Sequence, residues 1–442
     1  MKRLGAGPLG VPGFRLLCAG QLTSTIGDFC YAVALPWLVL SEHGGPVLLG
    51  AVLACYGIPR TVLIPAGGAL ADRLGPRTLM LLADAARFVL VAGLTVLAAR
   101  HIASLAALGP LAALIGAGEG LFIPASYAIM PSLLDGEQLA AGNALSTAAN
   151  QAGSLLGPVL GGALVAATRA STVAFGVDAI TFGISALTLW RMRPKPASRT
   201  ETSADQASQA EPIPPTGGVL ALLRRSRVLQ VLLVVVIAAN LASGGMGEVA
   251  LPALAHAGYG AAGYGALLAS LAVGGIAGTL AAARTGRLRS PVLLASAAFL
   301  VESVAISLVP YLGGEAGAAA FLFLSGICNG LGNVTVLTVV QKWIPAGLLG
   351  RVMGVIMLCA LGTFPLSVAV SGVLVRQLGP TPFFPVAGGL VAVAIAFGLT
   401  QREFRALGQA EPDVIPQAAD DPQAADDPQA ADDPQAAEGS RK

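Results

Sequence analysis

A ten-residue turn, GALADRLGPR at residues 68–77, separates two long apolar blocks of the sequence, 47–71 and 78–99. Each block is long enough to cross a bilayer, because a spanning helix needs roughly 20 apolar residues. The turn contains glycine and charged side chains, which suit a water-exposed reversal between two spans. This arrangement predicts a chain that crosses a membrane more than once.

Ten further apolar blocks continue the pattern. The predicted spans are 16–40, 47–71, 78–99, 105–127, 142–168, 172–191, 228–254, 262–283, 291–311, 316–340, 351–375 and 381–400. The composition agrees, because 442 residues that are 55% hydrophobic and only 11% charged cannot cover a water-facing surface. Alternating apolar residues are absent, which excludes a membrane β-barrel. The predicted fold class is an all-α membrane protein with 12 transmembrane helices.

The spans fall into two groups of six. A Pro-, Ser- and charge-rich stretch at 194–227 predicts a flexible linker between a first bundle, 1–193, and a second, 228–400. Residues 401–442 form an acidic tail, in which AADDPQ occurs three times at 418–435. The repeat has no large apolar residue, so we expect a disordered tail.

The two halves repeat one another at offsets between 210 and 216 residues. Transporters are often built from such duplicated halves. The matched pairs are VALPWL (33–38) with VALPAL (249–254), LLADAA (81–86) with LLASAA (293–298), GAGEGL (116–121) with GICNGL (326–331), and GALV (162–165) with GVLV (372–375). Four matches in the same order predict pseudo-symmetric six-helix bundles.

Basic residues decide the expected orientation. If both termini are cytoplasmic, cytoplasmic segments hold 21 Lys or Arg and the opposite loops hold three. The positive-inside rule therefore favours cytoplasmic termini and a cytoplasmic linker.

No motif predicts an enzyme or a bound cofactor. The five cysteines lie inside apolar blocks without a paired spacing, so we expect neither a disulfide nor a metal site. A phosphate-binding loop, a nucleophile elbow and a zinc-binding HExxH motif are absent from the sequence. Long apolar blocks also exclude a nucleic-acid binder.

The turn after span 2 resembles the cytoplasmic loop motif of the major facilitator superfamily, Gly-x-x-x-Asp-Arg-x-Gly-x-Arg. The matching residues are Gly68, Asp72, Arg73, Gly75 and Arg77. The resemblance implies that contacts of this loop latch the cytoplasmic gate of a transporter. The corresponding loop of the second half, 278–289, keeps glycine and arginines but has no acid.

Span 5 contains GSLLGPVLGG at 153–162, which resembles the Gly-Pro-x-x-Gly-Gly motif of exporters that exchange substrate for protons. Gly157, Pro158, Gly161 and Gly162 match it. With Gly153, two of these glycines form a stripe that allows close helix contact. The resemblance implies a gating element.

Three other stretches resemble the bacterial branch that includes macrolide and siderophore exporters: 26–40, 122–134 followed by 142–145, and 343–355. This implies a monomeric secondary active transporter of the bacterial inner membrane, with a small molecule and protons as its partners. The expected function is proton-driven efflux of a drug-like or secreted metabolite by alternating access. An importer of a small nutrient and a non-transporting receptor on the same scaffold stay open as alternatives. One departure is that Gly116 stands where many relatives carry an arginine.

Charges inside the spans are functional candidates, because they are costly in a membrane. Depth along the spans predicts that Asp28 pairs with Arg60, and that Glu119 and Asp84 cluster with Arg87. We expect Asp28 or Glu119 to carry the coupling proton, because spans 1 and 4 face the cavity in this family. Asp84, Arg87, Asp178 and Glu302 lie on spans that usually sit outside it, which favours a structural role. The expected substrate-cavity residues are Asn150, Asn240, Glu248, Asn329 and Asn333.

Overall fold

The computed structural model describes residues 7–192, 226–282, 290–344 and 346–406. The predicted linker, apart from its last two residues, and the tail beyond residue 406 lie outside these ranges. No strand occurs within them. Twelve helices are long and apolar enough to cross a membrane, which confirms the predicted fold class and number of spans.

The first half contains α1 to α6. Their bounds are α1 Pro12–Ser41, α2 Gly45–Leu74, α3 Pro76–Ala99, α4 Leu105–Ala128, α5 Gly136–Thr168 and α6 Thr172–Arg191. The second half contains α7 to α12. Helix α7 has three parts, Arg227–Gly245, a π-helical turn Met246–Ala250 and Leu251–Gly258. The next three helices are α8 Gly260–Ala282, α9 Pro291–Leu308 and α10 Gly314–Trp343. Helix α11 consists of Ala346–Gly362 and Phe364–Leu378, and α12 is Pro380–Thr400.

The turn at residues 68–77 is tight. Gly75 alone separates α2 from α3, and its φ of +83° lies in a backbone region that residues other than glycine rarely adopt. Proline follows at the first position of α3, where its missing N–H leaves no helix bond unmade. Glycine and proline together therefore end one span and start the next.

Within each half, glycine brings one pair of helices into backbone contact. A Cβ atom on Gly116 of α4 would clash with the carbonyl oxygen of Tyr56 in α2. At the matching place in the second half, a Cβ atom on Gly326 of α10 would clash with the carbonyl oxygen of Leu271 in α8. Both halves of the repeat thus keep the same close packing, which small residues allow in membranes.

Glycine also brings the two halves together, at two symmetric seams. Gly162 of α5 packs on Gly265 of α8, and Gly372 of α11 packs on Gly50 of α2. All four glycines lie toward the membrane side opposite the chain termini, which we call the opposite side; the side of the termini is the terminal side. Among the described helices, the extensive contacts between halves lie at these two seams. The halves are therefore closed together at the opposite side.

Candidate functional site

The first cavity has a volume of about 530 Å³ and lies mainly within the first half. All six helices of that half contribute side chains, and the second half adds Glu248 from α7 and Phe364 from α11. Four carboxyl groups and two guanidinium groups line it, namely those of Asp28, Glu119, Asp178, Glu248, Arg60 and Arg87. Such a density of charge inside a membrane protein makes this cavity a candidate functional site.

The ion pairs differ from those predicted by depth. Arg60 pairs with Glu119 at 3.1 Å, and Arg87 lies 3.8 Å from Asp28. Arg87 also binds Asp84 at 2.5 Å, as the predicted clustering of these two residues requires. The predicted pairs Asp28–Arg60 and Glu119–Arg87 are therefore wrong, and the two arginines have exchanged partners.

Close packing of α2 on α4 explains the exchange. A Cβ atom on Gly120 would clash with the carbonyl oxygen of Arg60, so the backbone next to Glu119 touches the backbone that carries Arg60. Arg87 instead lies between aromatic rings, 4.8 Å from Phe122 and 4.3 Å from Phe182. Guanidinium groups favour such ring faces.

Tyr56 completes the group around Glu119. Its hydroxyl donates a hydrogen bond to the Glu119 carboxylate, and its own helix also carries Arg60. The sequence did not identify this residue, because a tyrosine in an apolar span is typical of a side chain that only packs against its neighbours. Its spacing of four residues from Arg60 places both on one face of α2, a signal that could have identified it.

Asp84 is the most enclosed acid of the cluster. Its side chain has no exposed surface and accepts hydrogen bonds from Arg87 and from Ser185 of α6, the latter at 2.6 Å. Asp28 behaves differently, because 47% of its side chain is exposed to the cavity. Arg87 therefore contacts two carboxylates: that of Asp84, which is fully buried, and that of Asp28, which is exposed to the cavity.

Two residues expected outside a cavity line this one, Arg87 and Asp178. Asp178 reaches it because α1 has glycine at position 27, where a Cβ atom would clash with the Asp178 carboxylate. Glu248 lies on the π-helical turn of α7 and faces the same space. Side-chain volume on neighbouring helices, which depth alone does not reveal, decides these positions.

The second cavity, of about 490 Å³, lies within the second half. It holds the expected residues Asn240, Asn329 and Asn333, together with Glu302, which was expected outside any cavity. Asn329 donates a hydrogen bond to Glu302 at 3.0 Å and accepts one from Asn333 at 2.9 Å. Asn150, by contrast, lies in the first cavity, where its carboxamide accepts a hydrogen bond from Thr25 across α1 and α5.

The residues of the loop motif divide into two groups. Arg77 donates hydrogen bonds to the carbonyl oxygens of Leu189 at 2.8 Å and Trp190 at 2.6 Å, so it fastens the start of α3 to the end of α6. Asp72 and Arg73 are exposed at the terminal side, and neither forms an ion pair with another residue in the described part of the chain. A Cβ atom on Gly68 would meet open space.

The glycines of the span 5 motif lie at two interfaces. A Cβ atom on Gly157 would lie 2.8 Å from the carbonyl oxygen of Ile26, and one on Gly161 would lie 2.9 Å from the Cα of Cys30, both in α1. Gly162 faces the other way and touches α8. The motif therefore joins the helix packing of the first half to a seam between the halves, and Pro158 lies inside the same continuous helix.

Comparison with known proteins agrees with this architecture. The family model of the Major Facilitator Superfamily matches residues 17–364. The chain is 28% identical to an uncharacterized MFS-type transporter, YfiS of Bacillus subtilis, over 86% of this chain and 90% of that protein. It is 27% identical to the multidrug efflux pump Tap of Mycolicibacterium fortuitum, over 82% and 89% of the two chains. Among solved structures, a peptide transporter POT in complex with sulfate superposes with a TM-score of 0.68 at 17% identity, over 93% of this chain and 97% of that one.

Proposed function

The chain belongs to the Major Facilitator Superfamily, and we propose that it exports apolar small molecules across the membrane in exchange for protons. Transport proceeds by alternating access, in which two six-helix bundles rock around the cavities that they enclose. The similarity to a multidrug efflux pump supports export over import. The basic loops support cytoplasmic termini, so the terminal side faces the cytoplasm in this proposal.

One observation carries proton coupling: carboxyl groups outnumber arginines in the first cavity. Four carboxyl groups and two guanidinium groups line it, and the carboxyl group of Asp84 lies behind Arg87. In a low-dielectric site, carboxylates that lack a cation are strongly disfavoured. Some of these acids must therefore take up protons or face a cation, which gives the site a means to couple protons to conformation.

The geometry favours Asp28 over Glu119 as the carrier. If Asp28 takes a proton, Arg87 keeps its pair with Asp84 at 2.5 Å, so no charge is left alone. If Glu119 takes a proton, Arg60 loses its carboxylate partner at 3.1 Å, and no second carboxylate pairs with Arg60 in the described part of the chain. An uncompensated buried charge is costly. Asp28 is also the acid of the two that is more exposed to the cavity, at 47% against 21%.

Gating follows from where the halves touch. The seams at Gly162–Gly265 and Gly50–Gly372 close the opposite side, and we assign this conformation as the one open to the cytoplasm. In the other conformation the terminal ends approach each other. Asp72 and Arg73, unpaired in the described part of the chain, are then available to latch that side.

The decisive test uses proteoliposomes with an imposed pH gradient and a panel of macrolides, siderophores and dyes. We expect uptake into inside-acidic, inside-out vesicles by wild-type protein and none by Asp28→Asn, although Asp28→Asn should still bind substrate. Gradient-driven movement by Asp28→Asn at the wild-type rate, or transport driven by sodium alone, contradicts the proposal. Failure of the whole panel while a sugar or amino acid is accumulated contradicts export.

A further inference from the structure

The second cavity contains a carboxylate, Glu302, and none of the described side chains that line this cavity carries the opposite charge. Glu302 of α9 is only 5% exposed, and the cavity is otherwise lined by apolar, aromatic, hydroxyl and carboxamide side chains. Among the side chains that the structure describes, no arginine, lysine or histidine forms an ion pair with Glu302. A buried acid without a cation is costly unless it is protonated or meets a charged ligand.

The carboxamides hold Glu302 in place. Asn333 donates to Asn329, and Asn329 in turn donates to Glu302, so the chain of hydrogen bonds ends on the carboxylate. Asn240 lies on the facing helix α7 and its NH₂ group is directed to the carbonyl oxygen of Val236 at 2.8 Å, which leaves its carboxamide oxygen as an acceptor. Oxygen acceptors therefore dominate the polar part of this cavity.

The first half carries a cation where the second half has an aromatic ring. The repeat aligns Arg87 of LLADAAR with Phe299 of LLASAAF, and Phe299 lines the second cavity. The place of a guanidinium group is thus taken by an aromatic ring. A ring face attracts a cation, whereas the arginines of the first cavity repel one.

From this arrangement we propose that the second cavity binds the protonated amine of an otherwise apolar molecule, with Glu302 as its counter-charge. Carboxylate and carboxamide oxygens accept hydrogen bonds, so an ammonium group with N–H donors fits them better than a quaternary ammonium group of similar size. The walls formed by Leu232, Val235, Val391 and Ile395 fit the apolar body. This inference rests on the proposed export function for where the ligand goes, but binding itself requires neither a gradient nor transport.

The test is equilibrium binding to purified wild-type protein in detergent, measured by fluorescence anisotropy against protein-free micelles. Three probes share one apolar body: 1-pyrenemethylammonium, its N-acetyl derivative, which is neutral, and its trimethylammonium derivative, which is charged but has no N–H donor. We expect the primary ammonium probe to bind with the lowest dissociation constant. Glu302→Gln should weaken its binding at least about tenfold, as loss of a charge-assisted hydrogen bond predicts. Glu302→Asp, which keeps the charge, should weaken it less.

Glu315→Gln is the matched control, because Glu315 is an acid at the exposed start of α10. It should bind all three probes as wild type does. Equal binding of the three probes by wild type, no saturable binding of the ammonium probe, or unchanged binding by a folded Glu302→Gln protein overturns the inference. If Glu302→Gln does not fold, the ranking of the three probes on wild type decides alone. Since the assay uses no gradient, its failure is distinct from a failure of Asp28 to couple protons.

Discussion

The two halves share their backbone packing but differ in the chemistry that it supports. Gly116 and Gly326 make equivalent helix contacts, and Gly162–Gly265 and Gly50–Gly372 form equivalent seams. Glu119 lies three residues after Gly116 in the first half, and Asn329 lies three residues after Gly326 in the second. Glu119 is bound by a tyrosine and an arginine, whereas Asn329 binds another asparagine and an acid.

This difference shows which parts of a duplicated unit are free to change. In the packing of this chain, a glycine at a backbone contact cannot be replaced without moving the two helices apart. A side chain that projects into a cavity has room to vary, provided that its polar groups find partners. Proton chemistry therefore belongs in this proposal to the first half, and ligand chemistry to the second.

The largest expected effect comes from the shared glycines. Gly116→Ala and Gly326→Ala should each sharply reduce the yield of folded protein, because the new methyl group clashes with a backbone oxygen that cannot rotate away. Overpacking of this kind costs roughly 1–3 kcal/mol or more. Size-exclusion profiles and thermal unfolding of the purified proteins measure the effect.

Gly389→Ala serves as the control for this pair, because Gly389 lies within α12 and has open space where its Cβ would be. It should fold and melt like wild type. If only one of Gly116→Ala and Gly326→Ala is damaging, the packing of the halves is not equivalent and the comparison between them fails.

The next largest effect concerns coupling. Asp28→Asn should reduce pH-gradient-driven efflux to the level of empty vesicles, because the variant cannot exchange a proton at the cavity wall while Arg87 stays bound to Asp84. Glu119→Gln should retain a measurable fraction of efflux in the folded population. The reverse ranking of the two variants would assign the proton to Glu119 instead.

A third effect separates the halves by stability. Glu119→Gln should lower the free energy of unfolding by about 1–3 kcal/mol, because it leaves Arg60 without its carboxylate, whereas Asn333→Ala should cost at most about 1 kcal/mol for the lost neutral hydrogen bond to Asn329. Adding Arg60→Gln to Glu119→Gln should restore part of the loss. A purely additive double variant would show that the Arg60–Glu119 pair contributes nothing.

The sequence was sufficient to predict twelve spans, the duplicated halves and the glycine stripe of span 5, because each of these depends only on residue type and on spacing along the chain. It was not sufficient for the ion pairs. The position of a charge along a span predicts its depth, but its partner depends on how the helix is rotated and on how near its neighbour lies. Arg60 meets Glu119 because Gly120 lets α2 and α4 touch, and Asp178 reaches the cavity because residue 27 is glycine.

A smaller effect is expected at the loop motif of residues 68–77. The corresponding loop of the second half has no acidic residue. Asp72→Asn should leave expression unchanged and lower transport severalfold, since Gly75 still forms the turn at φ +83° but the charge for latching is lost. Arg77→Gln should differ, because Arg77 holds α6 and its loss should lower the melting temperature as well. Normal transport by Asp72→Asn would remove the latch from the mechanism.

The smallest effect is expected at the end of the chain, which has no counterpart in the first half. From residue 409 onward the sequence has nine acidic and two basic residues, and the AADDPQ repeats contain no large apolar side chain. This composition offers little apolar surface for contact with the two bundles. A chain that ends at Gln409 should therefore transport at close to the wild-type rate in proteoliposomes, with an unchanged melting temperature. A total loss of transport by this folded, truncated protein would mean that the acidic tail contacts the transport machinery, and that the mechanism extends beyond the two bundles.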